Sequence, residues 1–199
     1  GAGLTAGSNG DRFNATSWAL TSIANAVSGN DYVEFTITPN AGYQFSVSTI
    51  VVQWQRSASG NTAISLRSSA NAYATDIDAV KAVTDSTTTQ TFSWNVSQAN
   101  STAAVTYRLY SYAENVTGTG GPGDGTGNDI VVNGSVTASS AAEPTTQATS
   151  VSFSSVASTS MDVSWTSGDG ANRLVICRSG SAPSSGPVDG TSYTADANF

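Results

Sequence analysis

Apolar and polar residues alternate one by one along most of this chain, and no segment of convincing helical period interrupts them. A period of two sends successive side chains to opposite faces of an extended strand, so it commits the fold to β-sheet. In 32–38, Val33, Phe35 and Ile37 share one face, and Glu34 and Thr36 the other. Pro39-Asn40 and Ala41-Gly42 punctuate a turn before a strand over 43–47. Another strand, over 50–56, has Ile50, Val52 and Trp54 on one side. Further strands are expected over 63–68, over 91–96 with Phe92, Trp94 and Val96 inward, over 105–110 with Val105, Tyr107 and Leu109 inward, and over 130–136. Short strands at this spacing, separated by turn signals, predict an all-β sandwich. Residues 70–83 lack a clear period and read as an irregular loop with one helical turn. Trp18, Trp54, Trp94 and Trp165 all stand where a core would take them.

From residue 149 onward the pattern changes. Ser160-Met161-Asp162-Val163-Ser164-Trp165 alternates, Gly168-Asp169-Gly170 turns the chain, and 173–178 reads as a further strand. This is the front half of an immunoglobulin-like or fibronectin-type sandwich, with roughly four strands where such a fold needs about seven. A half sandwich leaves an apolar face wet and its edge backbone groups unpaired. The missing strands are therefore expected from residues of a longer chain or from a neighbouring molecule. Between the two regions, 138–148 is small, polar and interrupted by Pro144, as domain linkers are. The expected organisation is a β-sandwich over 1–137, a linker over 138–148 and an incomplete sandwich over 149–199. The Gly-rich stretch 117–127 reads as an exposed, mobile loop.

Composition narrows the function classes. Charged residues make up 11% of the 199, against about 25% in typical domains. Solubility rests on Ser, Thr, Asn and Gly, a style common in surface-layer, adhesive and secreted β proteins. A net charge of −7, with Lys81 the sole lysine, argues against nucleic acid, which needs clustered basic residues. Without histidine there is no Ser-His-Asp arrangement and no His-rich metal site. The single cysteine, Cys177, makes no internal disulfide and reads as a small buried hydrophobe within Leu174-Val175-Ile176-Cys177. No apolar stretch approaches the roughly 18 residues of a membrane span. The chain begins at Gly1 rather than Met, so it reads as processed or excerpted, with room for a removed signal.

Candidate sites are few. Asp76 and Asp78 form the one carboxylate pair that invites a glycosidase reading, against the plainer reading of solvated loop acids. Asp124, Asn128 and Asp129 offer oxygen ligands for Ca2+ in a Gly-rich loop, but without the EF-hand spacing, and a solvated turn is preferred to a cofactor. On the strand after 105, the face opposite the apolar one carries Arg108, Tyr110 and Tyr112, a potential glycan contact; aromatics on strands more often pack against one another. Asn14, Asn95, Asn100, Asn115 and Asn133 each begin an Asn-x-Ser/Thr glycosylation pattern, which chance also produces in so Asn- and Ser-rich a chain. The abundant hydroxyls also suit O-glycosylation.

Several motifs carry a resemblance. Gly3-Leu4-Thr5-Ala6-Gly7, Phe13-Asn14-Ala15 with Trp18, Asn30-Asp31-Tyr32 and Glu34-Phe35-Thr36-Ile37-Thr38-Pro39 open the first region. Gln55-Arg56-Ser57, Leu66-Arg67-Ser68-Ser69, Tyr107-Arg108-Leu109-Tyr110 and Asn128-Asp129-Ile130-Val131-Val132-Asn133-Gly134 continue it. Together they resemble a jelly-roll-like β-sandwich module of large secreted proteins of Bacteroidota-type bacteria. The chain departs from that pattern at Ala70-Asn71-Ala72-Tyr73, in its longer Gly-rich insert, and in lacking the extra strand that often precedes the Gly-Leu motif. Ser160–Trp165 in the alternating run above, Asn172-Arg173-Leu174-Val175-Ile176 and Pro187-Val188-Asp189-Gly190-Thr191-Ser192-Tyr193 are similar to fibronectin-type-III modules of the same proteins. The resemblance implies an extracellular spacer, adhesive or assembly role and no reaction.

The expectation is therefore a non-enzymatic, secreted structural protein. It would be a subunit or repeat segment of a filament or adhesive surface, joined to copies of itself by completion of open sandwich edges. The alternative is a carbohydrate-binding accessory module of a larger secreted enzyme.

Overall fold

Contacts divide the chain into Gly1–Ser139 and Ser140–Phe199. The computed structural model describes residues 1–7, 12–86, 88–123, 125–139, 144–170, 172–178, 180–188 and 191–194. The first unit runs β1 (Thr5–Gly7), β2 (Asn14–Thr16), β3 (Ala19–Leu20), helix α1 (Ile23–Gly29), β4 (Tyr32–Ile37), β5 (Tyr43–Arg56) and β6 (Asn61–Ser68). It continues with β7 (Lys81–Ala82), β8 (Gln90–Ser101), β9 (Val105–Ala113), β10 (Gly120–Pro122) and β11 (Ile130–Ala138).

Among the described residues these strands form two sheets. One is six-stranded, in the order β1-β2-β10-β5-β11 with β8 also paired to β5; the other is five-stranded, β3-β9-β6-β7 with β4 also paired to β9. The long strands β4, β5, β6, β8, β9 and β11 alternate between the sheets, so successive connections cross the sandwich. Between them lies a single apolar core. Phe45, Val47, Ile50, Val52, Trp54, Trp94 and Val96 come from one sheet, and Ile64, Leu66, Val105, Tyr107 and Leu109 from the other. The alternation of the sequence is thus realised as an all-β sandwich, with Trp18, Trp54 and Trp94 inside it.

Four local readings need correction. The strands expected over 43–47 and 50–56 are one strand, β5. Its buried face changes phase, from odd-numbered Phe45 and Val47 to even-numbered Ile50, Val52 and Trp54. The registers with both neighbours shift beside Ser48, where Thr49 opposes Asn133 and Val47 opposes Gly134. A bulge inserts one residue and flips the facing of all that follow, so a single strand mimics two. Helix α1 also escaped the period test because it is only 7 residues long. Its end signals are sound: Ser22 Oγ accepts from Asn25 N at 3.2 Å, and Asn30 closes it in the left-handed region at φ 58°.

The third correction concerns glycines. Part of the stretch read as a mobile, exposed loop is β10, and Gly120, Gly121 and Pro122 are buried. A Cβ on Gly120 would run into Asn61 Oδ1, and one on Gly121 into the carbonyl of Phe13. These glycines allow close approach of neighbouring chain rather than mobility.

The fourth lies in the second unit. Its described strands are β12 (Thr149–Ser154) and β13 (Asp162–Thr166), an antiparallel hairpin in which Phe153 opposes Val163. Residues 173–178 form no strand, because no described strand lies beside them to take up their backbone groups. Cys177 is exposed rather than buried, and Trp165 is 37% exposed rather than part of a core. Asp169 holds the start of the unit by accepting from Thr145 Oγ1 at 2.7 Å and Thr146 N at 3.0 Å. Those bonds, the Thr145 hydroxyl first, hold its carboxyl below the usual carboxylate range.

Candidate functional site

Strand register assembles the first candidate site on the outer face of the five-stranded sheet. Val33, Phe35 and Ile37 of β4 pack toward the core, which turns Tyr32, Glu34 and Thr36 outward. Glu34 pairs with Arg108 of β9, and Arg108 with Arg67 of β6, so three charged residues stand in one row across three strands. The next row is Tyr32, Tyr110 and Ser65.

Arg108 is the centre of this face. Its Nε donates to Glu34 Oε2 at 2.9 Å and its Nη1 to the Tyr110 hydroxyl at 3.4 Å. The guanidinium carbon sits 4.0 Å from the Tyr32 ring centroid and 3.9 Å from that of Tyr73, a clamp of two rings about one cation. Burial opposes the charge on Arg108, but hydrogen bonds to Tyr110 and Glu34 outweigh it and hold its pKa above the ordinary arginine value. Burial likewise raises the Tyr32 phenol, with Arg108 pulling the other way. Tyr73 reaches its position through two successive left-handed residues, Ala72 at φ 55° and Tyr73 at φ 60°. Its carbonyl accepts from Arg67 Nη1 at 3.0 Å.

Of the glycan-contact residues expected from sequence, Arg108 is partly accessible, whereas Tyr110 is 2% exposed. Tyr110 is covered by the Tyr32 ring, edge-to-face with centroids 5.3 Å apart, and by Arg67, so it offers no platform. Tyr112 lies where β3 pairs with β9, opposite Ala19. Tyr32, Glu34, Arg67 and Tyr73 escaped the sequence reading. Parity put Glu34 on the outer face, but only register shows which strands lie beside Arg108.

Asp76 and Asp78 are tied into the structure. Asp76 accepts from Ser65 Oγ at 2.5 Å and Arg67 Nε at 2.7 Å. Asp78 accepts from Ala79 N at 2.7 Å, Asn95 N at 3.1 Å and Lys81 Nζ at 3.4 Å. Backbone donation from Asn95 and Ala79 holds the Asp78 carboxyl below its usual range, so it stays ionised rather than poised as an acid. Between them, Ile77 packs on the core and donates its N–H to Leu66 O at 2.7 Å. The run Asp76-Ile77-Asp78 thus straps β6 of one sheet to β8 of the other across an open side of the sandwich.

The remaining candidates separate. Asp124 lies outside the described residues; Asn128 is exposed, and the Asp129 carbonyl accepts from Gln53 N at 2.8 Å. Among the described residues no group of three or more His, Cys, Asp or Glu side chains converges. Asn14 is buried in β2, which leaves no room for a glycan on the folded chain. Asn95, Asn100, Asn115 and Asn133 are exposed.

In the second unit the chemistry is apolar. Val151, Phe153, Met161, Val163 and Trp165 of the hairpin region and the segment around Leu174 line an open crevice of about 690 Å³. Phe153 is 61% exposed, and Val156 nearby in sequence 72%. No described helix is long and apolar enough to cross a membrane. No known family model, curated protein or solved structure matches this chain.

Proposed function

We propose that this chain is a non-enzymatic extracellular structural module, a subunit or repeat segment of a filament or adhesive assembly. In this reading the open hairpin of the second unit takes an extended strand from a neighbouring copy. The observation that carries it is the exposed apolar surface of that unit, where Val151, Phe153, Leu174, Val175 and Ile176 are each at least 42% exposed. Contiguous apolar surface of this kind marks an interaction site. Among the described residues β12 and β13 pair only with each other, so each keeps one free edge for strand addition. A strand from one copy entering the hairpin of the next is a head-to-tail contact, which propagates as a fibre instead of closing. The charge-poor, hydroxyl-rich surface supports an extracellular setting.

Negative-stain electron microscopy with light scattering on the full chain tests this reading. Regular fibres are expected, together with their loss in Phe153→Asp, which places a charge on the apolar face. Monomers at every concentration, in native-source and recombinant material alike, would overturn it.

A further inference from the structure

We propose that the outer face of the five-stranded sheet is a binding site for a neutral oligosaccharide, independent of any assembly through the second unit. Arg67 and Arg108 stand directly opposite each other on neighbouring strands. A like-charge pair in that position is destabilising, and a face built only to cover the sheet has no need of it. Each cation is steadied from its far side, Arg108 by Glu34 at 2.9 Å and Arg67 by Asp76 at 2.7 Å. The row therefore presents two guanidinium groups and two carboxylate acceptors with no net charge.

All four side chains keep access to solvent, with 15% to 45% of each exposed. Among the described residues no hydrogen bond engages Nη2 of either arginine. Two donor nitrogens, each with two N–H groups, thus remain available on groups whose other nitrogens are already fixed. Guanidinium groups pre-organised in this way lose little freedom when they bind. Tyr32 and Tyr73 flank the row, and Tyr73 is held there by two consecutive left-handed residues, strain that the covering of a sheet does not call for.

Sugar hydroxyls both donate and accept, and sugar C–H faces pack on aromatic rings. Two fixed guanidinium groups, paired carboxylates and flanking tyrosines match that chemistry. The two acids disfavour a phosphate or a uronate, since a second anion would face Glu34 and Asp76.

The test is a titration of the full chain, followed by NMR amide shifts and calorimetry. The probes are cellohexaose, xylohexaose, mannohexaose and laminarihexaose, with trigalacturonate as the anionic control, each up to about 10 mM. Saturable binding of at least one neutral probe is expected, with shifts at Tyr32, Arg67, Tyr73 and Arg108. Tyr73→Gly removes the ring where the backbone already suits glycine, and Arg67→Lys keeps the charge but loses the guanidinium. Each is expected to weaken binding by about tenfold or more while the far-UV spectrum stays that of the parent. Binding of no probe, tighter binding of trigalacturonate, or neutral-probe binding untouched by both substitutions would overturn the proposal.

Discussion

Trp54 and Trp165 each end an alternating apolar run, yet Trp54 is fully buried and Trp165 is 37% exposed. The difference lies in what faces them. Trp54 sits on β5 between two sheets and lies 5.9 Å from Trp18, ring centre to ring centre. Trp165 sits on β13, whose only described partner is β12. Alternation decides which side chains share a face; a second layer decides whether that face is dry. The first unit supplies both layers from its own strands, and the second shows one hairpin with its apolar residues in water.

The largest test of that contrast removes one tryptophan from each unit. Trp54→Ala is expected to cost about 3–5 kcal/mol, as large-to-small changes in sealed cores do. Trp165→Ala is expected to cost under about 1 kcal/mol in the monomer, because little apolar area leaves water there. Urea unfolding of both variants checks this. Equal losses would mean that the second unit is as well covered as the first.

A smaller effect probes how dry the first core is. Tyr107 is fully buried and stacked on Phe35 at 5.5 Å, and its hydroxyl has no partner among the described residues. Burial pushes its phenol from 10.0 up to about 12. The folded state therefore favours the protonated form. That contribution is intact below pH 10 and is lost as pH rises toward about 12, where the unfolded chain ionises more readily. Tyr107→Phe is expected to be neutral or stabilising by up to about 1 kcal/mol at pH 7, since it deletes an unsatisfied hydroxyl. It should also flatten the decline in stability above pH 10. An alkaline limb identical to that of the parent would show the phenol to be hydrated.

How much of this was legible in sequence follows from the same distinction between facing and covering. Val33, Phe35 and Ile37, or Val105, Tyr107 and Leu109, declared their faces by period alone, and those faces are the ones that turn to the core. Ser48 defeated the method because one bulged residue reverses parity, which no period-two count survives. Gly120 and Gly121 defeated it because their reason, close approach to Asn61 and Phe13, is tertiary. The tyrosine–arginine face was half legible. Arg108 stood out by parity, but Arg67, Glu34 and Tyr73 join it only through the registers of β4, β6 and β9 and a left-handed turn. Asp76 and Asp78 read as solvated loop acids, with a glycosidase pair as the lesser reading, because sequence shows their spacing and not their partners.

Those two acids give the subtlest test, because they close a side of the first unit in a way the second unit does not. Among the described residues β8 pairs only with β5, so its outer edge would offer free backbone donors like those of the open hairpin. Asp78 occupies that edge by accepting from the backbone N–H of Asn95. Its pKa lies below the model-peptide value of 3.8, so the ionised form stabilises the fold. That contribution is complete above pH 3.8 and is lost as pH falls through the depressed value. Asp78→Asn keeps a side chain that tolerates the left-handed backbone at φ 58° while deleting the charge. The variant should unfold at lower urea than the parent at pH 7, and the gap should close as pH falls through the depressed value, where the parent carboxyl takes up its proton. A gap that persists in acid would assign the effect to shape rather than charge. If the variant also self-associates at pH 7, the strap is what keeps this edge from pairing with other chains, a guard that the described hairpin of the second unit lacks.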